Sequence, residues 1–466
     1  MFAELLDVVN TFLYSKLLII LLVGLGLYFT IRTKFVQFRL LGESYRVTKE
    51  KHTNKNRISL LESMLTSTAA RVGTGNIIGV STAICVGGYG AVFWMWVSAL
   101  LGCATTFVES TLGQLYKKDG GDGGYYGGPS YYIEQATKQR WLGVLFAIAT
   151  IMTYAGGFSM LPAYNLQSCY SVFSWYKEGV TPWIIGSIIA VASAICILGG
   201  SKRIVKFNKF LVPIMGGIYL LVAIGIFIFN IGSVPAVLGK IFSEAFDFTA
   251  IFGGFAGSCV MLGIKRGLLS NEAGMGSAPL AASSADTTHP VKSGLAQVLS
   301  VFIDTIIICT ATAFMCLLSG VEPTASLKGA PYVQACIGNL FGVPGQVFIA
   351  MSVTLFGYTS ILGNYFYVDS SLAYICKKWP SKTFLNAIHI IGCILVLIGS
   401  ALSFGLVWDF ADFTMGIMAL INLPVLVFLL KPVLKALKNY EDQKKEGKVP
   451  SFKGADIGMN DLECWK

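Results

Sequence analysis

Charge is scarce in this chain. Only 13% of its 466 residues are Asp, Glu, Lys or Arg and 54% are hydrophobic, against roughly 25% charged in a soluble domain. Apolar runs of spanning length recur along its whole length, which excludes a soluble globular protein and implies a polytopic membrane protein. Histidine is nearly absent: His52, His289 and His389 stand far apart and offer no metal-ligand spacing. The eleven cysteines fall mostly inside apolar runs, as Cys85, Cys196 and Cys309 do. They lack paired spacing and read as small reduced hydrophobes rather than a disulfide framework. There is no Gly-Lys-Ser/Thr phosphate loop and no Gly-x-Ser-x-Gly elbow. No enzymatic activity and no cofactor is therefore expected. Met1–Asn10 carries Glu4 and Asp7 without a basic start, so no cleavable signal is expected either.

What the chain does have is eleven candidate spans, at about 11–31, 60–83, 90–115, 141–173, 182–199, 208–230, 249–270, 292–319, 345–376, 384–403 and 407–430, judged against a requirement of ~20 residues. The expected fold class is all-α and polytopic. Cations collect in alternate loops: Arg32 to Arg57, Lys117 with Lys118, Lys202 with Arg203 and Lys206, Lys377 with Lys378 and Lys382, and then the tail from Lys431 to Lys445. Lys177, Lys240 and Lys328 are exceptions in the opposite loops. The positive-inside rule places the N-terminus outside and the C-terminus in the cytoplasm, consistent with an odd number of spans. The net charge of +10 is thus topological and does not argue for nucleic acid. Asp119 to Ser130 forms a glycine-rich cytoplasmic loop, either a flexible turn or a gate element, and 440–466 reads as a solvated tail.

One span is anomalous. Leu60 to Ala83 is apolar enough to cross a bilayer, yet its middle reads Thr66-Ser-Thr-Ala-Ala-Arg71-Val-Gly-Thr-Gly-Asn76. Each glycine costs roughly 1 kcal/mol in a helix interior, and Thr and Asn compete for local backbone hydrogen bonds. A break at mid-depth is tolerated only inside protein or along a water-filled cavity, where freed backbone groups can bind a solute. A second interruption follows five spans later at Asn271, Glu272, Gly274 and Gly276, with Gly253, Gly254 and Gly257 as a competing location. With the break at 271–276, Lys265 and Arg266 should line a wet vestibule on its outer side. Two breaks at corresponding places point to a transporter built of two halves. The expected division is 1–59 (first helix and basic loop), 60–230, 231–430 and a cytoplasmic tail, 431–466.

The freed N–H groups of Gly73, Thr74, Gly75 and Asn76 lie at a half-helix N-terminus that suits a carboxylate. Groups around Asn271, Met275 and Gly276 could take an ammonium and enclose a small side chain. Arg71, Glu109, Asp304 and Asp369 are ionisable residues inside spans, which are costly and usually paired. An ion pair of Arg71 with Glu109 or Asp304 is expected.

Five ordered segments resemble the alanine or glycine:cation symporters of bacteria and archaea. They are Arg71-Val-Gly-Thr-Gly-Asn-Ile-Ile-Gly79, Ala91-Val-Phe-Trp-Met-Trp96, Gly127-Gly-Pro-Ser-Tyr-Tyr-Ile-Glu134, Lys265-Arg-Gly-Leu-Leu-Ser-Asn-Glu-Ala-Gly-Met-Gly-Ser-Ala-Pro279 and Asp304-Thr-Ile-Ile-Ile-Cys-Thr-Ala-Thr312. That family is similar to the leucine-transporter fold, a 5+5 inverted repeat, with one extra N-terminal helix. The resemblance implies sodium-driven import of a small neutral amino acid by a multi-pass protein of the plasma membrane. It implies a sodium site from the carbonyls of Ala69, Val72 and Phe356 and the hydroxyls of Thr359 and Ser360. The chain departs from the family at Tyr89 (usually Pro), at Ser130 (usually Met), at Pro162 (where a substrate-side Gln commonly stands) and across Gly363–Asp369. Proton coupling, or selectivity for glutamine or serine, is the alternative within the same fold, and the one Lys of the sixth span, Lys209, stands at its cytoplasmic end. A channel or a sensing receptor is the reading from another class, although the tail after Lys431 is too short for a signalling domain.

Overall fold

The computed structural model describes residues 2–50, 57–120, 124–199, 201–247 and 258–466. Gly253, Gly254 and Gly257 lie outside them, as do His52, residues 121–123 of the glycine-rich loop and the side chain of Lys209. The described chain is almost entirely helical. Its principal helices are α1 (Ala3–Arg32), α2 (Leu60–Arg71), α3 (Ile78–Gly87), α4 (Gly90–Leu115), α5 (Arg140–Ser168), α6 (Thr181–Ile197), α7 (Ser201–Phe229), α8 (Cys259–Asn271), α9 (Ala278–Ser284), α10 (Pro290–Leu317), α11 (Val343–Cys376), α12 (Lys382–Ala401) and α13 (Phe404–Phe428). Among the described residues the strands form one short antiparallel pair, Lys118–Asp119 with Tyr125–Tyr126.

Among the described residues eight helices are long and apolar enough to cross a membrane, or nine when the bent pair on either side of Val72 and Gly73 is taken as one span. Eleven were expected. The difference lies in α6, with only 17 residues, and in the expected span 249–270, of which 249–257 fall outside the described residues and the remainder holds α8, with 13. The surface is inverted relative to a soluble protein. Large apolar residues are outermost, with Ile188 63%, Leu221 70% and Phe428 81% exposed, while Glu109, Asp304 and Asp412 are fully buried. That pattern is what lipid as solvent requires.

Local chemistry sets the helix ends. Ser59 and Glu62 form a reciprocal capping box that starts α2. α2 stops at Arg71 because Val72 (ψ 83°) and Gly73 (φ −131°, ψ −160°) leave helical space, and the chain resumes at 58° to its former direction. α8 stops at Asn271, with Glu272 in the left-handed region at φ 54°. Gly274 and Gly276 both sit at φ 86°, which favours glycine. The second interruption is therefore at 272–277. Close helix approach also needs small residues: a Cβ on Gly363 would meet the Ala70 backbone at 3.1 Å, which brings α11 against α2.

The tail does not stay in solvent. After a helix over Leu430–Lys445 the chain folds back, burying Phe452, Ile457, Leu462 and Trp465. The Trp465 indole N–H donates to the Gln114 carbonyl at 2.8 Å, and Glu463 pairs with Lys118 at 2.7 Å. The four apolar residues follow no helical or strand period, so they leave no pattern in a hydropathy reading. Beside this docked tail, His289 caps α10. Its Nδ1 accepts from the Val291 N–H (3.2 Å), and its Nε2 faces Asn439 Oδ1 (3.1 Å) on the Leu430–Lys445 helix.

Burial pushes the His289 imidazole down from 6.5 to about 4. Between those values the unfolded chain takes up a proton that the folded chain refuses, so stability falls as pH drops from 6.5 towards 4. Thermal unfolding of the detergent-solubilised protein should show that fall, and a His289→Gln variant should flatten it.

Candidate functional site

Both helix breaks leave backbone donors and acceptors without helical partners in a region remote from water, and buried carboxylates answer them. At the first break, Asn76 Oδ1 accepts from the Gly73 N–H at 2.9 Å and closes the loop on itself. The Asn76 amide then donates to Asp304 Oδ1 at 2.7 Å and to the Asp304 carbonyl at 3.1 Å. Ser270, one residue from the end of α8, donates to Asp304 Oδ2 at 2.5 Å, and Thr305 donates to the same oxygen at 2.7 Å. Asp304 on α10 thus ties the first break to the last turn of α8.

At the second break, Glu109 on α4 accepts from the N–H groups of Gly274 (3.4 Å) and Gly276 (3.1 Å). Asn422 on α13 donates to Glu109 at 3.0 Å and to the Gly274 carbonyl at 3.0 Å, while Tyr132 donates to Asn422 at 2.6 Å. A carboxylate at bilayer depth costs about 3 kcal/mol on insertion scales. Hydrogen bonds to a charged group return about 1.5–3 kcal/mol each, so two or three of them offset that cost.

Neither carboxylate forms the expected ion pair with Arg71. Arg71 Nη1 donates instead to Gln297 (3.1 Å) and Ser300 (2.8 Å) on α10. Asp304 is already occupied by Asn76, Ser270 and Thr305, and Glu109 by the second break. The expected wet vestibule at Lys265 and Arg266 is also corrected. Both cations pair with the buried Asp412, the half-buried Lys265 at 2.7 Å and the buried Arg266 through two contacts of 3.0 and 3.2 Å. Lys265 further lies 4.7 Å from the Tyr14 ring centroid and Arg266 4.4 Å from that of Trp408. Asp412 sits in an apolar run near no other motif, so a linear reading had no reason to pair it.

A small cavity of ≈ 30 Å³ lies at the first break, room for one or two waters. Of the expected substrate residues, Gly73, Thr74, Gly75 and Pro162 line it. Its apolar wall is Phe158 and Leu161 on α5 with Leu269 on α8. Its polar lining adds Arg71, Glu272, Ser360 and Asn364. Pro162 has no N–H for the Phe158 carbonyl four residues back, and Asn364 of α11 donates to that carbonyl at 2.7 Å. The proline thereby creates an acceptor that draws α11 to α5, a link that no single-helix signal reveals.

The remaining expected substrate residues lie outside that cavity. The Asn76 side chain is spent on Gly73 and Asp304. Asn271 lines a separate cavity of ≈ 20 Å³ with residues of α1 and α4, and accepts from the Ala273 N–H at 2.9 Å. Met275 is fully buried, and Gly276 packs against Pro129 and Phe146. Among the expected sodium ligands, Ser360 Oγ lies 3.4 Å from the Ala69 carbonyl, across the α2–α11 contact. Thr359 Oγ1 lies 3.0 Å from the carbonyls of both Leu355 and Phe356. Gly73 abuts the Ser360 hydroxyl so closely that any Cβ there would collide with it. Val72 sits at the point where the helix ends. These are hard oxygen donors on two helices, suited to a small hard cation.

Asp369, the fourth intramembrane ionisable residue, pairs with His389 of α12 at 2.6 Å. Ser130 and Tyr89 are both buried and are not among the residues that line the cavity.

The family model for the sodium:alanine symporter family matches residues 1–454. The amino-acid carrier protein AlsT of Bacillus subtilis (strain 168) is 42% identical over all of this chain and 98% of its own length. The probable sodium/glutamine symporter GlnT of the same organism is 41% identical over 99% of this chain and 96% of its own. Among solved structures, MhsT in complex with L-phenylalanine superposes with a TM-score of 0.60 at 17% identity, over 87% of this chain and 96% of that one. At that identity the likeness establishes an all-α, leucine-transporter-like fold.

The left-handed glycine of the second break offers a direct check. Alanine at Gly276 would hold φ 86° and push its Cβ into Pro129 and Phe146. Gly276→Ala should cost about 2 kcal/mol or more and lower the thermal midpoint. Gly217→Ala in α7, where the added Cβ meets nothing within 4 Å, should leave the midpoint unchanged or raise it.

Proposed function

This chain belongs to the sodium:alanine symporter family, and from that premise we infer that it is a secondary symporter that imports a small neutral amino acid together with sodium across the plasma membrane. The observation that carries the reading is the sharing of one unwound segment by two ligands. The Ala69 carbonyl faces the Ser360 hydroxyl of α11 at 3.4 Å, and Gly73, Thr74 and Gly75 line the cavity next to that contact.

Sodium bound by Ala69, Val72, Phe356, Thr359 and Ser360 holds α2 against α11, and so holds the break in the shape that accepts substrate. Substrate in turn stabilises the same break and raises the affinity for sodium, since such coupling is reciprocal. The N–H groups that open the Thr74–Gly87 half-helix meet the carboxylate. The narrow cavity and its Phe158, Leu161 and Pro162 wall suit alanine or glycine better than a long side chain such as glutamine.

We further propose the 5+5 inverted repeat within 60–230 and 231–430, with α1 added before it and eleven spans in all. The cation-rich loops support a cytoplasmic C-terminus and an external N-terminus. Rocking of one bundle against the other then exposes the cavity to each side in turn.

Proteoliposomes with an imposed inward sodium gradient should accumulate alanine or glycine, and a proton gradient alone should not. No sodium-driven accumulation of alanine, glycine, serine or glutamine would sink the reading. Thr359→Ala should raise the sodium concentration for half-maximal uptake by about tenfold. Alanine binding at saturating sodium should change by no more than about threefold.

A further inference from the structure

We propose that Arg71 and Glu272 are the two charge-reading residues of the substrate cavity, the guanidinium receiving the carboxylate of a zwitterionic amino acid and Glu272 its ammonium group. The proposal deepens the symport reading and rests on it.

Arg71 is 2% exposed and Glu272 1% exposed, and both line the cavity at the first break. Among the described residues they are the only charged ones that do so. One edge of the Arg71 guanidinium is fixed: Nη1 donates to Gln297 and Ser300. Nε and Nη2 are buried without any hydrogen-bond partner. Those two nitrogens are the side-on fork of an arginine, the pair whose parallel N–H bonds match the two oxygens of one carboxylate. A buried guanidinium with an unmet fork is costly. Glu109 and Asp304, the carboxylates that could have met it, are engaged by the two helix breaks. The fork is therefore open for an anionic group that arrives with the substrate.

Glu272 is placed by its own backbone. It is the first residue past α8 and holds φ 54°, and its Oε2 accepts from Ser277 at 2.7 Å across the second break. That bond orients the carboxylate and leaves acceptor capacity for an ammonium. Beside the two charges the cavity is lined by the apolar Ala70, Phe158, Leu161, Pro162 and Leu269 and by the neutral Thr74, Ser360 and Asn364. Opposite charges in such a cavity read a small zwitterion and reject molecules that lack either pole, because the unmatched charge would stay buried and unpaired.

The test is binding and uptake in proteoliposomes with L-alanine, L-alaninamide (no carboxylate) and L-lactate (no ammonium). Wild type should bind alanine and be inhibited by neither analogue at 100-fold excess. Arg71→Lys, which keeps the charge and loses the fork, should weaken alanine binding about 10- to 100-fold. Glu272→Gln should weaken alanine to a similar extent while leaving lactate unchanged, so that discrimination between the two narrows. Sodium binding without substrate should stay within about threefold in both variants, a readout that general damage to the fold would also move. Alanine affinity within twofold of wild type in folded variants would overturn the proposal. Should neither variant fold, inhibition of wild type by alaninamide and lactate as strong as that by alanine would overturn it, and no inhibition would support it. If wild type shows no sodium-driven alanine uptake at all, the symport reading fails rather than this assignment.

Discussion

Everything in this molecule depends on how two interrupted helices keep their backbone groups satisfied away from water. A polar group stranded in hydrocarbon costs several kcal/mol, about as much as the net stability of a small domain can spare. The chain meets that constraint with one buried carboxylate per break. Asp304 holds the first through Asn76, and Glu109 holds the second through Gly274 and Gly276. Neither carboxylate is on the helix it supports. Each break is therefore stable only in the assembled bundle, and the bundle is stitched together through its breaks.

This arrangement places function and stability on the same atoms. The Asn76 amide looks like a ligand group in the sequence, yet its hydrogen bonds are used to shape the loop and to reach Asp304. What remains open at the first break is narrower: the cavity edge at Gly73, Thr74 and Gly75, the oxygens at Ala69 and Ser360, and one side of the Arg71 guanidinium. Were one segment to hold both an ion and a solute, each would change the affinity for the other by the same factor, and coupling would need only a few residues of unwound chain rather than a long relay.

A second group of interactions fastens the periphery. Asp412 gathers Lys265 and Arg266 beneath Tyr14 and Trp408, linking α1, α8 and α13. At the lysine-rich face, the folded-back tail joins Gln114, Lys118 and the helix over Leu430–Lys445. Both are built from residues far apart in the chain. Both brace elements next to the breaks without entering the cavity.

Much was legible in the chain itself. Spanning length and scarcity of charge dictate membrane helices, and the pairing of glycine with Asn and Thr at 73–76 dictates where one of them breaks, because backbone propensity is local; for the second break, 271–276 competes with Gly253, Gly254 and Gly257. The nearness of Ala69 to Ser360 is implied only by the family resemblance, and the abutment of Gly73 on the same hydroxyl by neither pattern nor resemblance. Only the tertiary structure decided which polar side chain answers which. Arg71 turns to Gln297 and Ser300 rather than to a carboxylate, Lys265 and Arg266 go to Asp412 rather than to water, and Asn364 takes the acceptor that Pro162 frees. Hydrogen bonds are directional and reach about 3 Å. Partner choice is thus set by where helices distant in sequence come to lie, and no local pattern encodes that.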